Sequence, residues 1–361
     1  MISTIQKPKT TFNNIQSKQK KDIKQNNKSQ NKIISNQRNK TPIKTKTSEN
    51  NILNEKLEKL ININDYTKLA SFKSISDSIR PVYYICSLND DRLATCSFDH
   101  SIKIYDNKKY KLQQKIKCHK SHVVYIIQLL DGRLLSCSRD CTMKLIKLTS
   151  ETSYKIEQSI SNFNGEVIEV IQLSNSKIIS CSVDPIIKIF DLVKKTNKFQ
   201  LENNLILYTK KVDSILELKG VKELISSSHK EKLVVFWKIN LYEKICSLNI
   251  ECWERPCVLF ELNQNFAAIG GNGIYIIELK SHQCTNILQS NLTEYFFLLK
   301  DKTFLTIESY YSLRHYKKKK KRIILIGEIQ EAHKKCIYSI TQFKNGIIAT
   351  ADFGGLIKLW Q

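Results

Sequence analysis

Three groups of residues in this 361-residue chain could do chemistry. The first is thiol and imidazole. Cys118 and His119 lie near His122, Cys137 lies near Cys141, and Cys252 near Cys257. A convincing structural zinc site needs four nitrogen or sulfur ligands, and paired C-x-x-C spacing is its usual signature. None of these sets has it, so the expectation is no metal. Cys96, Cys137 and Cys181 instead fall at one position of a recurring segment, as small buried apolar residues would. The second group is Asp99, Asp140 and Asp184, which could pass for acid–base carboxylates. They too recur at one turn position, which favours a structural role. Gly-rich phosphate loops, G-x-S-x-G and H-E-x-x-H are absent. The reading is therefore no catalytic residue, no cofactor and no enzyme. The third group is the run Lys317, Lys318, Lys319, Lys320, Lys321 and Arg322, a dense cation able to attract phosphate or acidic protein.

The charge is general as well as local. Lys and Arg number 58 against 34 Asp and Glu, a net +24. Acidic partners such as nucleic acid, acidic proteins or an anionic membrane surface fit that surplus, and so does an AT-rich coding sequence. Residues 1–50 are polar and basic with few large apolar side chains, and are expected to be a disordered tail. Residues 51–64 space Ile52, Leu53, Leu57 and Leu60 helically and are expected to form a short linker helix. Eleven cysteines without an apolar leader suit a reducing compartment. Apolar runs are far too short to cross a bilayer, so membrane insertion is not expected. An intracellular protein, in cytoplasm or nucleus, is the expectation.

The elements that must position these residues are short strands. LATCSFDHSIKIYD (93–106), LLSCSRDCTMKLIK (134–147), IISCSVDPIIKIFD (178–191) and IIATADFGGLIKLW (347–360) share one pattern. Each is an apolar strand ending in Ser or Thr, a tight turn, and an alternating strand ending in a bulky residue. Weaker copies start at Leu224, Phe266 and Phe304. The bulky ends, from Tyr105 to Trp360, recur every 39 to 47 residues. That period with four strands per unit predicts an all-β, seven-bladed propeller over residues 65–361.

These residues resemble the WD-repeat (WD40, G-protein-beta-like) family. In that family a His, a Ser or Thr, a turn Asp and a Trp form a hydrogen-bonded tetrad within a blade. The resemblance implies His119, Ser136 and Asp140 in blade two, with Ile146 replacing Trp. In blade seven it implies His333, Thr350 and Trp360, with Gly354 replacing Asp. Blades one and three keep Asp99 and Asp184 without the His, and no blade is expected to be complete.

The family's loop-face positions fall on Phe98, Arg139, Val183 and Phe353, and on Tyr83, Val124, Ile168, Asp213 and Tyr338. Blades one and seven adjoin in a closed ring, so Tyr83, Phe98, Arg139, Tyr338 and Phe353 are expected to gather as a protein-binding patch. The resemblance implies a non-enzymatic scaffold or adaptor for protein partners of unknown identity. A nucleic-acid-associated factor, in ribosome assembly or chromatin, acting through the tail and the 317–322 run is the alternative. A ubiquitin-ligase substrate receptor is a third, weakened because Tyr105-Asp106 and Phe190-Asp191 lack the following Arg of the docking signature.

Gln361 follows the third strand of blade seven directly, so residues 66–75 are expected to supply the fourth. Deleting residues 65–76 should therefore lower the thermal midpoint of the whole domain, and deleting 1–50 should not. Equal midpoints for the two truncations would refute this closure.

Overall fold

The structure is a computed structural model that describes residues 70–76, 80–250, 258–271, 273–288, 293–319 and 322–361. The expected tail (1–50) and linker helix (51–64) lie outside the described residues. Among those described, 28 strands form seven four-stranded antiparallel sheets, six of them simple meanders and the seventh completed by the first strand of the chain. The first strands are Val82–Ser87, Val123–Gln128, Val167–Gln172, Ser214–Leu218, Leu259–Asn263, Thr293–Leu298 and Ile337–Gln342. Each touches the next, and the last touches the first, so the sheets form a closed seven-bladed propeller with these strands innermost.

The apolar runs explain the packing. Second strands such as Leu93–Ser97, Leu134–Ser138, Ile178–Ser182 and Ile348–Asp352 are buried at every residue, because a neighbouring blade covers each face. Seven apolar clusters result, one at each seam between adjacent blades. Fully buried side chains such as Phe190, Phe236, Phe304 and Phe343 each contribute about 1.5–3 kcal/mol. Cys96, Cys137 and Cys181 sit in three of these clusters with no exposed surface.

A polar latch reinforces most seams. The side-chain oxygen of Gln128 accepts the N–H of Asn89 in the preceding blade at 2.7 Å. Gln172 does the same to Leu130, Glu217 to Ser174, Glu261 to Gly220 and Gln342 to Lys300. The latched turns need one left-handed residue. Gly132 (φ 87°) and Gly346 (φ 92°) supply it, and Asp91 (φ 63°) and Ser176 (φ 72°) accept the strain in blades one and three.

Ser71–Ser76 is the outer strand of blade seven, antiparallel to Leu356–Trp360. Ser74 faces Lys358 and Ile75 faces Ile357, and Ala70 and Gln361 exchange both backbone hydrogen bonds at 3.2 Å.

Within the blades, the polar tetrad is more complete than its sequence signature. In blade seven the Trp360 indole donates to Thr350 Oγ1 at 2.8 Å, and Thr350 pairs with His333 Nε2 at 2.6 Å. His333 Nδ1 lies 2.8 Å from Asp352 Oδ2, so the carboxylate is present after all. It comes from the end of the strand, two residues before Gly354, and Asp352 Oδ1 caps the turn by accepting the Gly354 and Leu356 N–H groups. In blade two His119 joins Asp140 (3.0 Å) and Ser136 (2.8 Å). Burial depresses the His119 pKa against the pull of Asp140.

Elsewhere other residues occupy the same place. In blade four, Trp237 donates to Ser226 at 2.7 Å, and Tyr208 bonds the same hydroxyl at 2.8 Å where a His would stand. In blades one and three a Lys four residues after the turn Asp replaces the His: Lys103 lies 3.1 Å from Asp99 and Lys188 2.5 Å from Asp184. Burial works against the Asp99 charge, but the Ser101 hydroxyl, Lys103 and Lys115 outweigh it and hold its carboxyl well below the usual range. In blade six Glu308 gathers Thr306, Tyr316 and Arg314 at 3.1, 2.7 and 2.6 Å.

Thr350→Val should leave two buried ring nitrogens without a partner. It is expected to cost about 2–4 kcal/mol in chemical denaturation, while Thr350→Ser costs less than about 1.

Candidate protein-interaction face

The face is made by a recurrent irregularity in the innermost strands. In blades one, two, three, six and seven the ladder between first and second strands shifts by one residue at its start. Val82 pairs with Ser97 and Tyr84 with Cys96, so Tyr83 is the extra residue. Tyr338 is extra in blade seven, Val124 in blade two and Ile168 in blade three. A bulge of this kind turns a side chain out of the ladder. The residue following the second strand is held at the same end. Phe98, Arg139, Val183 and Phe353 each donate their backbone N–H, at 2.8–2.9 Å, to Pro81, His122, Glu166 and Cys336.

Both sets meet where blades seven, one and two adjoin. The Tyr83 ring lies 6.5 Å from Phe98 and 5.7 Å from Tyr338, and Tyr338 lies 5.8 Å from Phe353. The Arg139 guanidinium sits 5.5 Å over Tyr83 and its Nε lies 3.4 Å from Glu166. All five residues of the expected patch are therefore within one cluster. Tyr338 is 38% exposed and Phe353 37%, while Tyr83 and Phe98 are half-buried. Val183 is exposed farther around the ring, and Val124 and Ile168 pack against seam clusters. Asp213 departs from the expectation. Blade four has no bulge, so Asp213 turns inward and accepts the His229 N–H at 2.7 Å and pairs with its ring at 2.6 Å.

Three further residues belong to the cluster. His122 packs 3.7 Å from Phe98 and 6.0 Å from Tyr83, His100 lies 5.4 Å from His122, and the Arg80 guanidinium sits 5.2 Å over Phe98. Burial depresses the His122 pKa, and Arg139, His100 and Arg80 add to it. Their only sequence signal is position, one or two residues from a strand end.

Behind this face, the residue after each bulge lines the axis of the ring. Tyr84 and Tyr125 have ring centres 4.0 Å apart, and Tyr84 is also hydrogen-bonded to Tyr295. Tyr125 donates to Glu169 Oε1 at 3.4 Å, and Glu169 Oε2 accepts the Ile215 N–H at 3.1 Å. Ser339 Oγ accepts the Ile85 N–H across the closing seam at 3.1 Å. Burial pushes the Glu169 carboxyl from 4.5 up to about 7, and nearby Asp213 adds to it, against the hydrogen bonds from Ile215, Ser214 and Tyr125.

The basic run is not simply a loop. Lys317, Lys318 and Lys319 end the third strand of blade six and Arg322 begins the fourth, with Lys317 facing Ile324 and Lys318 facing Ile323. The strand-forming Ile-rich partner carries the lysines into the ladder. The Lys318 amine lies 3.8 Å from the Phe266 ring centre. Lys320 and Lys321 lie outside the described residues. No group of three or more His, Cys, Asp or Glu side chains that could hold a metal occurs among the described residues. Among those residues, no helix is long and apolar enough to cross a membrane.

Comparison with known proteins agrees with this geometry. The family described as WD domain, G-beta repeat (WD40) matches residues 73–106. The WD40 beta propeller domain of Doa1, known from a crystal structure, superimposes with a TM-score of 0.68 at 13% identity. That alignment covers 82% of this chain and 98% of that one. No curated protein matches the chain in sequence.

Glu169 gives the fold a pH dependence of known sign. Between about pH 4.5 and about 7 the folded state retains a proton that the unfolded chain has lost, so stability falls with rising pH and levels off above. Glu169→Gln should remove that decline, making the variant more stable than the parent at pH 8 by about 3 kcal/mol and no more stable at pH 4.5. Urea titrations at both pH values check it.

Proposed function

We propose that this WD40-type propeller is a non-enzymatic scaffold or adaptor that holds a protein partner on its bulge-lined face. WD40 propellers commonly mediate protein–protein interaction. The observation that carries the reading here is the cluster of Tyr83, Phe98, Tyr338 and Phe353 beside Arg139. Folding gives no reason to leave Tyr338 and Phe353 exposed, each more than a third, at one end of a ring whose core is already filled. Aromatic and Arg side chains are also those that dominate binding energy, since they bury much area for little lost rotamer freedom. A rigid ring presents such a patch at fixed geometry and needs no moving part.

The second reading, binding of nucleic acid, rests on the net charge of +24 and on the cations of the blade-six hairpin. Contacts of that kind would be to phosphate and would weaken steeply with salt.

Affinity capture with tagged full-length protein, with and without nuclease, separates the two. Nuclease-resistant protein partners, lost on combining Phe98→Ser with Phe353→Ser while the thermal midpoint stays within a few degrees, are the expected result. Partners that vanish with nuclease and survive both substitutions would support the second reading.

A further inference from the structure

The aromatic cluster carries an electrostatic imbalance that specifies what can sit on it. Two guanidinium groups sit on the cluster, Arg139 over the Tyr83 ring at 5.5 Å and Arg80 over the Phe98 ring at 5.2 Å. The carboxylates at this end of the ring are engaged elsewhere. Asp99 is held by Lys103 and Lys115, Asp140 by His119, Asp184 by Lys188 and Asp352 by His333. Glu166 lies 3.4 Å from Arg139, and both side chains of that pair are 40% exposed or more. An exposed pair of this kind is weak and exchangeable. Lys120, Lys334 and Lys335 on the adjoining loops are exposed and add to the same sign.

We propose that the occupant of this face is an acidic protein segment. Its carboxylates meet Arg139 and Arg80, and an apolar side chain anchors against Tyr338 and Phe353. The inference rests on the scaffold reading above and names the chemistry of the partner. The rings favour a peptide over a nucleic acid. Phe98 already carries Arg80 and His122 against it, and Tyr83 carries Arg139. Tyr338 and Phe353 are tilted by 56° to each other, which suits an inserted aliphatic or aromatic group better than stacked bases. Charge complementarity of this kind sets specificity and on-rate, with the apolar anchor supplying most of the affinity.

The test uses a displayed library of random 15-residue peptides selected on the full-length protein. Enriched sequences should combine Asp and Glu with one large apolar residue. For such a peptide, Arg139→Glu should weaken binding at least tenfold and Glu166→Gln should tighten it severalfold, with neither substitution shifting the thermal midpoint. Enrichment of neutral or basic peptides, or indifference of an acidic one to Arg139→Glu, overturns the acidic assignment but leaves the scaffold reading intact if binding is still lost in the Phe98→Ser, Phe353→Ser variant. A fluorescent 15-nucleotide oligouridine that binds the same face more tightly than the peptides also overturns it. Selection of no peptide that depends on Phe98 and Phe353 overturns both.

Discussion

A sheet edge offers unsatisfied backbone groups, and a ring of seven sheets works only if its ends are joined. That joining is done by Ser71–Ser76, laid against Leu356–Trp360 at the finish of the ring. Every other sheet is a local meander. The aromatic face depends on this one non-local pairing, because it assembles Tyr83 and Phe98 from blade one with Tyr338 and Phe353 from blade seven. Two further contacts tighten the same seam, Ser339 to the Ile85 amide and Thr341 to the Ser87 amide. The site is therefore a property of ring closure rather than of any blade.

The blades differ in chemistry while keeping a shape. A hydroxyl on the second strand and a charged or ring-bearing group beside it recur, but the partner is His in blades two and seven, Tyr in blade four and a Glu–Arg pair in blade six. Lys103 and Lys188 serve in blades one and three by bonding the turn Asp. What recurs in blades two, four, six and seven is a hydrogen-bonded polar group between turn and strand, whereas in blade three the Ser180 hydroxyl is buried without a partner. Identity at each position is free to drift around that pattern, which accounts for a fold shared with the Doa1 domain at 13% identity.

Periodicity made the fold legible. Strand spacing of 39 to 47 residues and the Ser-turn-bulky pattern come from burial on both faces of each sheet, which composition alone can carry. The clustering of Tyr83, Phe98, Arg139, Tyr338 and Phe353 was likewise readable from repeat position. The ladder irregularities were not: Asp213 and Tyr83 hold equivalent places in the sequence, yet only the strand of Tyr83 bulges. Asp352 was hidden because it ends a strand instead of occupying the turn, and His122, His100 and Arg80 because nothing in spacing marks a residue that is recruited by neighbours. Glu169 reads as an ordinary polar residue of an alternating strand until the ring brings Tyr125 and Ile215 to it. The strand position of Lys317, Lys318 and Lys319 was not legible because charge masks the strand propensity of Ile323 and Ile324 across from them.

The hydrogen-bond exchange between Ala70 and Gln361 makes the ring a circle in connectivity as well as in shape. A covalent link there would need to bridge almost no distance, and the seven blades would then have no privileged order. The break could be moved to a connection between blades, which makes the ring a candidate for circular permutation. A permuted chain opened between blades three and four would hold the aromatic face on a contiguous stretch of polypeptide, turning a patch made by long-range pairing into one made by neighbours. Folding speed tracks how far apart in sequence the contacting residues lie, so such a chain would alter the kinetics of assembling the face without altering the surface it presents.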